Sequence, residues 1–309
     1  MNWHKNSKDR AVDNYQLSII NYQLYEVTDF INWLYFFHAW GFSPRFATIA
    51  QVHACPGCEA AWLNSFESQE KNKAREAIKL INDARQLLGQ LDGKLTCQCA
   101  FQLFEANASG DNLLINGTLF PLLRQQHTHP EQPCLCLSDF VRPVEMGEPD
   151  KVGVFAATID DTALLHTDDA YRKLLVQTLC DRLVEASVEK LHLYVRKEAW
   201  GYAPDEHLSI ADLHLEKFQG IRPAVGYPSL PDQSVNFIID QLIDLSQIGI
   251  TLTENGAMHP HASVSGLMLA HPQARYFSVG KIGEDQLIDY SQRRGLPIDT
   301  MRKFLSANL

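Results

Sequence analysis

The stretch from Asp168 to Trp200 constrains the fold of this chain more than any other. It reads as one long helix, N-capped in the Asp168/Asp169 region and stopped by the chemistry of Gly201 and Pro204. Leu183, Val184, Val188 and Leu191 give it an apolar stripe, which needs a second layer to bury it. Asp181, Glu185 and Glu189, four apart, share another face, where carboxylates ordinarily meet solvent. Strand-like segments lie on both sides: Leu95–Glu105, Asn112–Ile115, Leu135–Val141 and Val152–Ile159 before it, and Ile248–Glu254, Ala262–Ala270 and Tyr276–Ile282 after it. Short helices at Ser209–Phe218 and Ser234–Gln247 precede the late strands, and a closing helix, Glu284–Arg294, ends at Gly295. Late strands joined by short loops favour antiparallel pairing, because parallel neighbours need crossovers of about a dozen residues. The expected class is α+β.

A further helix is expected over Glu67–Leu91, where Ala77, Ile78, Leu80, Ile81, Ala84, Leu87 and Leu88 recur at helical spacing. The near-repeat Asn14–Ile20 and Asn21–Val27 is too short to be a structural unit, so residues 1–27 read as a poorly constrained extension and 28–309 as the domain. With 309 residues, 45% hydrophobic and 21% charged, the chain can bury a core without staples. Its 27 basic and 37 acidic residues give a net charge of -10, which disfavours general nucleic-acid binding. The longest apolar run, Phe30–Phe42, carries Asn32 and His38 and is too short for a bilayer; with no export signal, a soluble cytoplasmic protein is expected.

Seven cysteines, an odd number, argue for reduced thiols. Cys55 and Cys58 form CPGC, Cys97/Cys99 and Cys134/Cys136 form CxC pairs, and Cys180 stands alone. A tetrahedral soft-metal site wants four converging ligands, and only one CxxC is present. We expect a CxC inside a strand to send its sulfurs to opposite faces, so the thiols read as buried or surface groups and no metal is assigned. No GxGxxG or GxxxxGK[ST] occurs, which removes the two commonest phosphate-cradling loops. Asp205-Glu206-His207 and Asp212-Leu213-His214 lack the glycine three residues on that a corrinoid-binding loop carries, so the chain shows no cobalamin module of its own.

In Gly220-Ile221-Arg222-Pro223-Ala224-Val225-Gly226-Tyr227-Pro228, a fixed-φ proline follows an arginine and a glycine admits close backbone approach. Such an arginine can clamp a carboxylate, and the phenol can flank a flat ring. Taken alone the string reads as a rigid surface turn. It does not stand alone. Leu179–Ala186, Trp200–Glu206, Gly220–Pro228, Leu252-Thr253-Glu254, Ala262–Gly266, Gly280-Lys281-Ile282, Asp289-Tyr290 and Arg293-Arg294-Gly295 follow one order. Together they closely resemble the activation (AdoMet-binding) domain of cobalamin-dependent methionine synthase, over about residues 28–309.

The resemblance implies a C-shaped α+β domain around a twisted antiparallel sheet that binds S-adenosylmethionine in a groove. In that family a flavodoxin-type donor supplies an electron and S-adenosylmethionine a methyl group, returning Co(II) cobalamin to methylcobalamin. Carried over by position, Arg222 is the carboxylate-binding arginine, with Ala224, Gly226 and Tyr227 completing its loop. Tyr276 and Phe277 supply a second aromatic contact, and Glu185 is an acid near the ligand. Asp181 and Glu216 look toward the cobalamin module, as does His259 in the changed loop Glu254–Pro260. Asn32 stands where the family carries an aspartate, losing a charge and keeping an acceptor. No catalytic residue is assigned, because methyl transfer needs positioning more than a general acid or base.

The homocysteine-, folate- and cobalamin-binding modules are not in these 309 residues, so methionine synthesis by this chain alone is not expected. The expected role is reactivation in trans of a cobalamin-binding protein or methionine synthase, with cobalamin held by that partner. The alternatives are a docking or sensing module that binds S-adenosylmethionine without reactivation, and a cysteine-based metal or redox protein sensitive to Cys55→Ser.

Overall fold

The computed structural model describes residues 16–128 and 131–309, and the near-repeat begins outside them, at Asn14. Strand β1 (Ser18–Gln23) pairs antiparallel with β2 (Thr96–Ser109), placing Ser18 opposite Phe101 and Gln23 opposite Thr96. A one-turn helix, α1 (Leu24–Val27), follows with Leu24 and Val27 buried. Residues 18–27, read from sequence as part of a loose extension, are therefore built into the sheet and core. The ladder satisfies their backbone, and Tyr22, Leu24 and Val27 fill space beneath the helices.

Four helices, α2 (Trp33–Ala39), α3 (Pro44–Ala47), α4 (Pro56–Asn64) and α5 (Lys71–Leu91), lead into β2. β3 (Asn112–Ile115) and β4 (Thr118–Pro121) continue the meander, and β5 (Asp150–Thr158) returns along the other edge of β2. The long helix α6 (Ala170–Tyr194) is capped by Asp169, whose carboxylate accepts the Arg172 N–H, and runs into a π-helical turn, Val195–Ala199, before Gly201 at φ +70°. Then come α7 (Ile210–His214), α8 (Asn236–Ile243), a ribbon of β6 (Thr251–Leu252) and β7 (Met258–His259), strand β8 (Ser263–Met268), α9 (Glu284–Arg294) and α10 (Ile298–Phe304). The main sheet has the order β4-β3-β2-β5-β8 with β1 beside β2, and every pairing is antiparallel.

Both faces of this sheet are covered, which explains why β5 reads as a continuous apolar run. Phe101, Phe155, Ala157 and Val264 face α6 and the N-terminal helices, while Ala100, Val154, Ala156 and Leu267 face α8 and the 3-10 turn Leu245–Ile248. Each fully buried Phe or Leu here contributes about 1.5–3 kcal/mol. Cys97 and Cys99 lie on one face, not on opposite ones: Cys97 Sγ approaches the Leu183 carbonyl at 3.9 Å and Cys99 Sγ the Ser187 hydroxyl at 3.4 Å, both on α6. Residues i and i+2 of a strand share a face, so the pair points together into the core.

Three expected strands differ from what is observed. Leu135–Val141 contains the 3-10 turn Leu137–Phe140, because the Asp139 carboxylate accepts the Cys136 N–H while held at 2.7 and 2.8 Å by Arg124. Tyr276–Ile282 is irregular: Ser229 Oγ donates to the Phe277 carbonyl, Gln125 to that of Ser278, and Val279 N–H goes to Pro228. Of Ile248–Glu254 only Thr251 and Leu252 pair, since the preceding turn ends at Gly249 with φ +77°. The expected helix Ser209–Phe218 shortens to α7, ended by Glu216 at φ +55°.

Candidate functional site

The segment Ile221–Val225 runs beside β8 as an irregular extra edge. Ile221 and Leu269 exchange backbone hydrogen bonds, Leu267 N–H donates to the Pro223 carbonyl and Val225 N–H to that of Ser265. Pro223 has no N–H to give, so the pairing cannot become a regular ladder. Close approach depends on Gly266: a Cβ there would lie 2.2 Å from the Pro223 carbonyl oxygen and 2.9 Å from Ala224 Cα. At Gly226, φ is +86°, its N–H donates to the Leu230 carbonyl, and nothing lies within 4 Å of where a Cβ would stand. The loop is thus fixed at one end and open to solvent at the other.

The carboxylate face of α6 turns toward this loop rather than to bulk water. Side-chain exposure falls along it, from 33% at Asp181 through 24% at Glu185 to 7% at Glu189. Arg222 Nη2 donates to Glu189 Oε2 at 2.5 Å, and Arg222 Nη1 lies 3.9 Å from Glu185 Oε2. The Arg222 N–H donates to the Tyr276 hydroxyl at 3.0 Å, and the Tyr227 hydroxyl donates to Glu185 Oε1. Burial by itself would lower the Arg222 pKa; Glu189, Tyr276 and Glu185 outweigh it and raise the value, so the guanidinium stays charged. Desolvation raises Glu216 above the usual carboxylate range, partly countered by Arg222, and raises Tyr227, with Glu185 adding to the effect. His192, fully buried on α6, is held well below its ordinary value by desolvation and by Arg196 and Arg222, and meets the Tyr202 hydroxyl at 3.2 Å. Arg222 Nε, Glu189 Oε1 and His192 Nδ1 have no hydrogen-bond partner among the described residues.

Six side chains, Arg222, Glu185, Glu189, Glu216, Tyr227 and Tyr276, therefore interact as one electrostatic group. Ala224 is buried against Gly266 in the loop's backbone. Phe277 is tied to the loop through Ser229, and its ring packs toward Phe140 with 6.5 Å between centroids. A cleft of about 200 Å³ opens beside the group, with Asp181, Arg182, Glu185, Tyr227 and His261 at its rim. Asp181 lies 3.5 Å from His261 and is raised by desolvation, which His261 opposes.

Asn32 is employed elsewhere: its side-chain oxygen accepts the Leu34 N–H and caps α2. His259 is exposed and pairs with Thr251 in the small ribbon, outside the Arg222 group. Glu189 is the residue sequence reasoning underrated. Its four-residue spacing from Glu185 was visible, but not that it would become the main partner of an arginine 33 positions on.

Fold and site together define a sheet-and-helix domain whose loop arginine is clamped by acids from a long helix. Residues 23–295 match the family model described as vitamin B12 dependent methionine synthase, activation domain, and the chain belongs to that family. A solved structure of the MetH reactivation domain bound to AdoHcy is similar to it, with 33% identity and a TM-score of 0.83 over 96% of this chain and 91% of that one. The curled antiparallel sheet with flanking helices is the architecture of that reactivation domain.

Proposed function

We propose that this chain binds S-adenosylmethionine along the Arg222–Tyr227 loop and acts in trans on a cobalamin protein or on methionine synthase modules, supporting reductive methylation. The observation that carries this is the half-satisfied Arg222–Glu189 pair beneath the loop: Arg222 Nε and Glu189 Oε1 are buried polar atoms without a hydrogen-bond partner among the described residues. An α-amino acid head offers the complementary groups, a carboxylate for the guanidinium and an ammonium for the glutamate. The residues fit the ligand, and the similar reactivation domain holds AdoHcy, its demethylated form.

When bound, S-adenosylmethionine supplies an electrophilic methyl group. The chain's own residues hold it. Arg222 takes the carboxylate with donors that Glu189 leaves free, and the Tyr276 hydroxyl fixes the arginine's backbone. Ala224 and Gly226 bring backbone close, and Tyr227, 47% exposed, can cover a ring face. Glu185 and Glu189 favour a cationic sulfonium over a neutral thioether. In this reading Tyr276 and Phe277 form a second aromatic wall, and Asn32 a more distant polar contact. Asp181, Glu216 and His259 face the cobalamin partner, and a flavodoxin-type protein gives the electron.

Titration calorimetry with S-adenosylmethionine tests the binding; no heat at millimolar ligand overturns it. Mixing with a Co(II) corrinoid protein, a reductant and S-adenosylmethionine tests reactivation by the appearance of methylcobalamin. Binding without methylcobalamin supports the docking or sensing alternative.

A further inference from the structure

Away from that group, three donor side chains meet before and within the first turn of α4. His53, Cys55 and Cys58 each offer one ligand atom, and these atoms all lie within 4.8 Å of one another. Cys55 is the N-cap of α4 and Pro56 its first residue, so the CPGC turn sets both cysteines at the start of the helix. The Cys58 N–H points at Cys55 Sγ at 3.4 Å, and the Cys55 N–H donates to the His53 carbonyl at 2.8 Å, which folds the histidine back over the turn.

This turn is braced from both sides by α5. Arg85 Nη2 donates to the Ala50 and Val52 carbonyls at 3.0 and 3.2 Å, just before His53. Asn82 Nδ2 donates to Glu59 Oε1 at 2.9 Å, just after Cys58, and Trp62 Nε1 reaches the Thr48 hydroxyl at 3.0 Å. The donor set is thus held on a scaffold while its side chains face solvent: His53 and Cys58 are exposed and Cys55 half-buried.

We propose that His53, Cys55 and Cys58 form a zinc site with three protein ligands and a fourth position left to water or an incoming donor. Two thiolates and an imidazole suit zinc better than a hard, oxygen-seeking cation. Bond lengths of about 2.3 Å to sulfur and about 2.1 Å to nitrogen put tetrahedral donors roughly 3.5–3.8 Å apart. The three donor atoms, all within 4.8 Å of one another, already lie close to that spacing. Ions bind as the thiols give up their protons to solvent, so occupancy rises with pH. The structure supplies what the CPGC string alone lacked, a third ligand two residues upstream. The site is independent of the S-adenosylmethionine reading.

The test uses the full chain, reduced and stripped with chelator, titrated with Co²⁺ and then Zn²⁺. Wild type takes up one equivalent of Co²⁺ more than the C55S/C58S variant, with a thiolate-to-metal charge-transfer band that Zn²⁺ abolishes. His53→Ala keeps the band and weakens binding by more than about tenfold. All three side chains are at the surface, and unchanged circular dichroism and unchanged S-adenosylmethionine titration in the variants separate this result from the groove. Equal Co²⁺ uptake by wild type and C55S/C58S overturns the proposal. So does a Cys55–Cys58 disulfide that forms in air at the same rate with and without Zn²⁺, which marks a redox dithiol instead.

Discussion

Removing the Arg222 guanidinium leaves Glu189 as a charge on the buried side of α6 with nothing to balance it. The pair is tight and shielded: 2.5 Å between Nη2 and Oε2, with side chains 17% and 7% exposed. Breaking such a pair by deleting one partner costs about 3–5 kcal/mol, more than the pair itself is worth. At about 3 kcal/mol per molar urea, the upper end of the range for small proteins, Arg222→Ala lowers the unfolding midpoint by about 1–1.7 M. The R222M/E189L variant removes both charges and keeps apolar bulk, so it recovers to within about 1 kcal/mol of wild type. Stability and ligand binding then part company, since the double variant stays folded but has no donor for a carboxylate. Urea unfolding followed by fluorescence, with calorimetry on both variants, reads the two effects separately. A midpoint shift under about 0.3 M for Arg222→Ala would refute the burial argument. Undiminished S-adenosylmethionine binding by R222M/E189L would refute the assignment of Arg222 to the ligand.

Gly266→Ala drives a methyl group into the Pro223 carbonyl, costing about 1–3 kcal/mol as overpacking and displacing the Arg222 loop; its thermal midpoint and ligand affinity should fall together. Tyr227→Phe deletes the hydroxyl that meets Glu185 at a half-exposed position, so stability should change by less than about 0.5 kcal/mol, and any larger change in ligand affinity isolates the phenol's role. Asp212, bonded to Lys217 and to Ser209, titrates at about 2 instead of the usual 3.8. Because its folded value is depressed, its contribution is present above 3.8 and is lost as pH falls through about 2. Carboxyl NMR should find that midpoint and should see Lys217→Ala move it back up.

Local signals carried much of the framework. β3 and α9 occupy the residues their patterns predict, and α6 begins at the aspartate cap and breaks at the glycine. Those features depend on near neighbours, through capping, φ preference and apolar period. Leu135–Val141 and Tyr276–Ile282 went the other way because, from outside the segments, Arg124 holds the Asp139 carboxylate while Gln125 and Ser229 donate to the Ser278 and Phe277 carbonyls. Side chains recruited across the fold redirected stretches with strand-like composition. β1 was hidden for the same reason: its partner lies more than seventy residues away on β2.

For the site, the order of short strings along the chain was enough to indicate the family, and Arg222, Tyr227 and Tyr276 were nameable from it. Charge and composition alone argued against a general nucleic-acid binder. What a linear string could not contain is which charges meet. Only folding brought Glu189 against Arg222 and tied Tyr227 to Glu185, across 33 and 42 residues of chain. Electrostatic and coordination effects act over a few ångströms in space, and distance along the chain does not measure that separation.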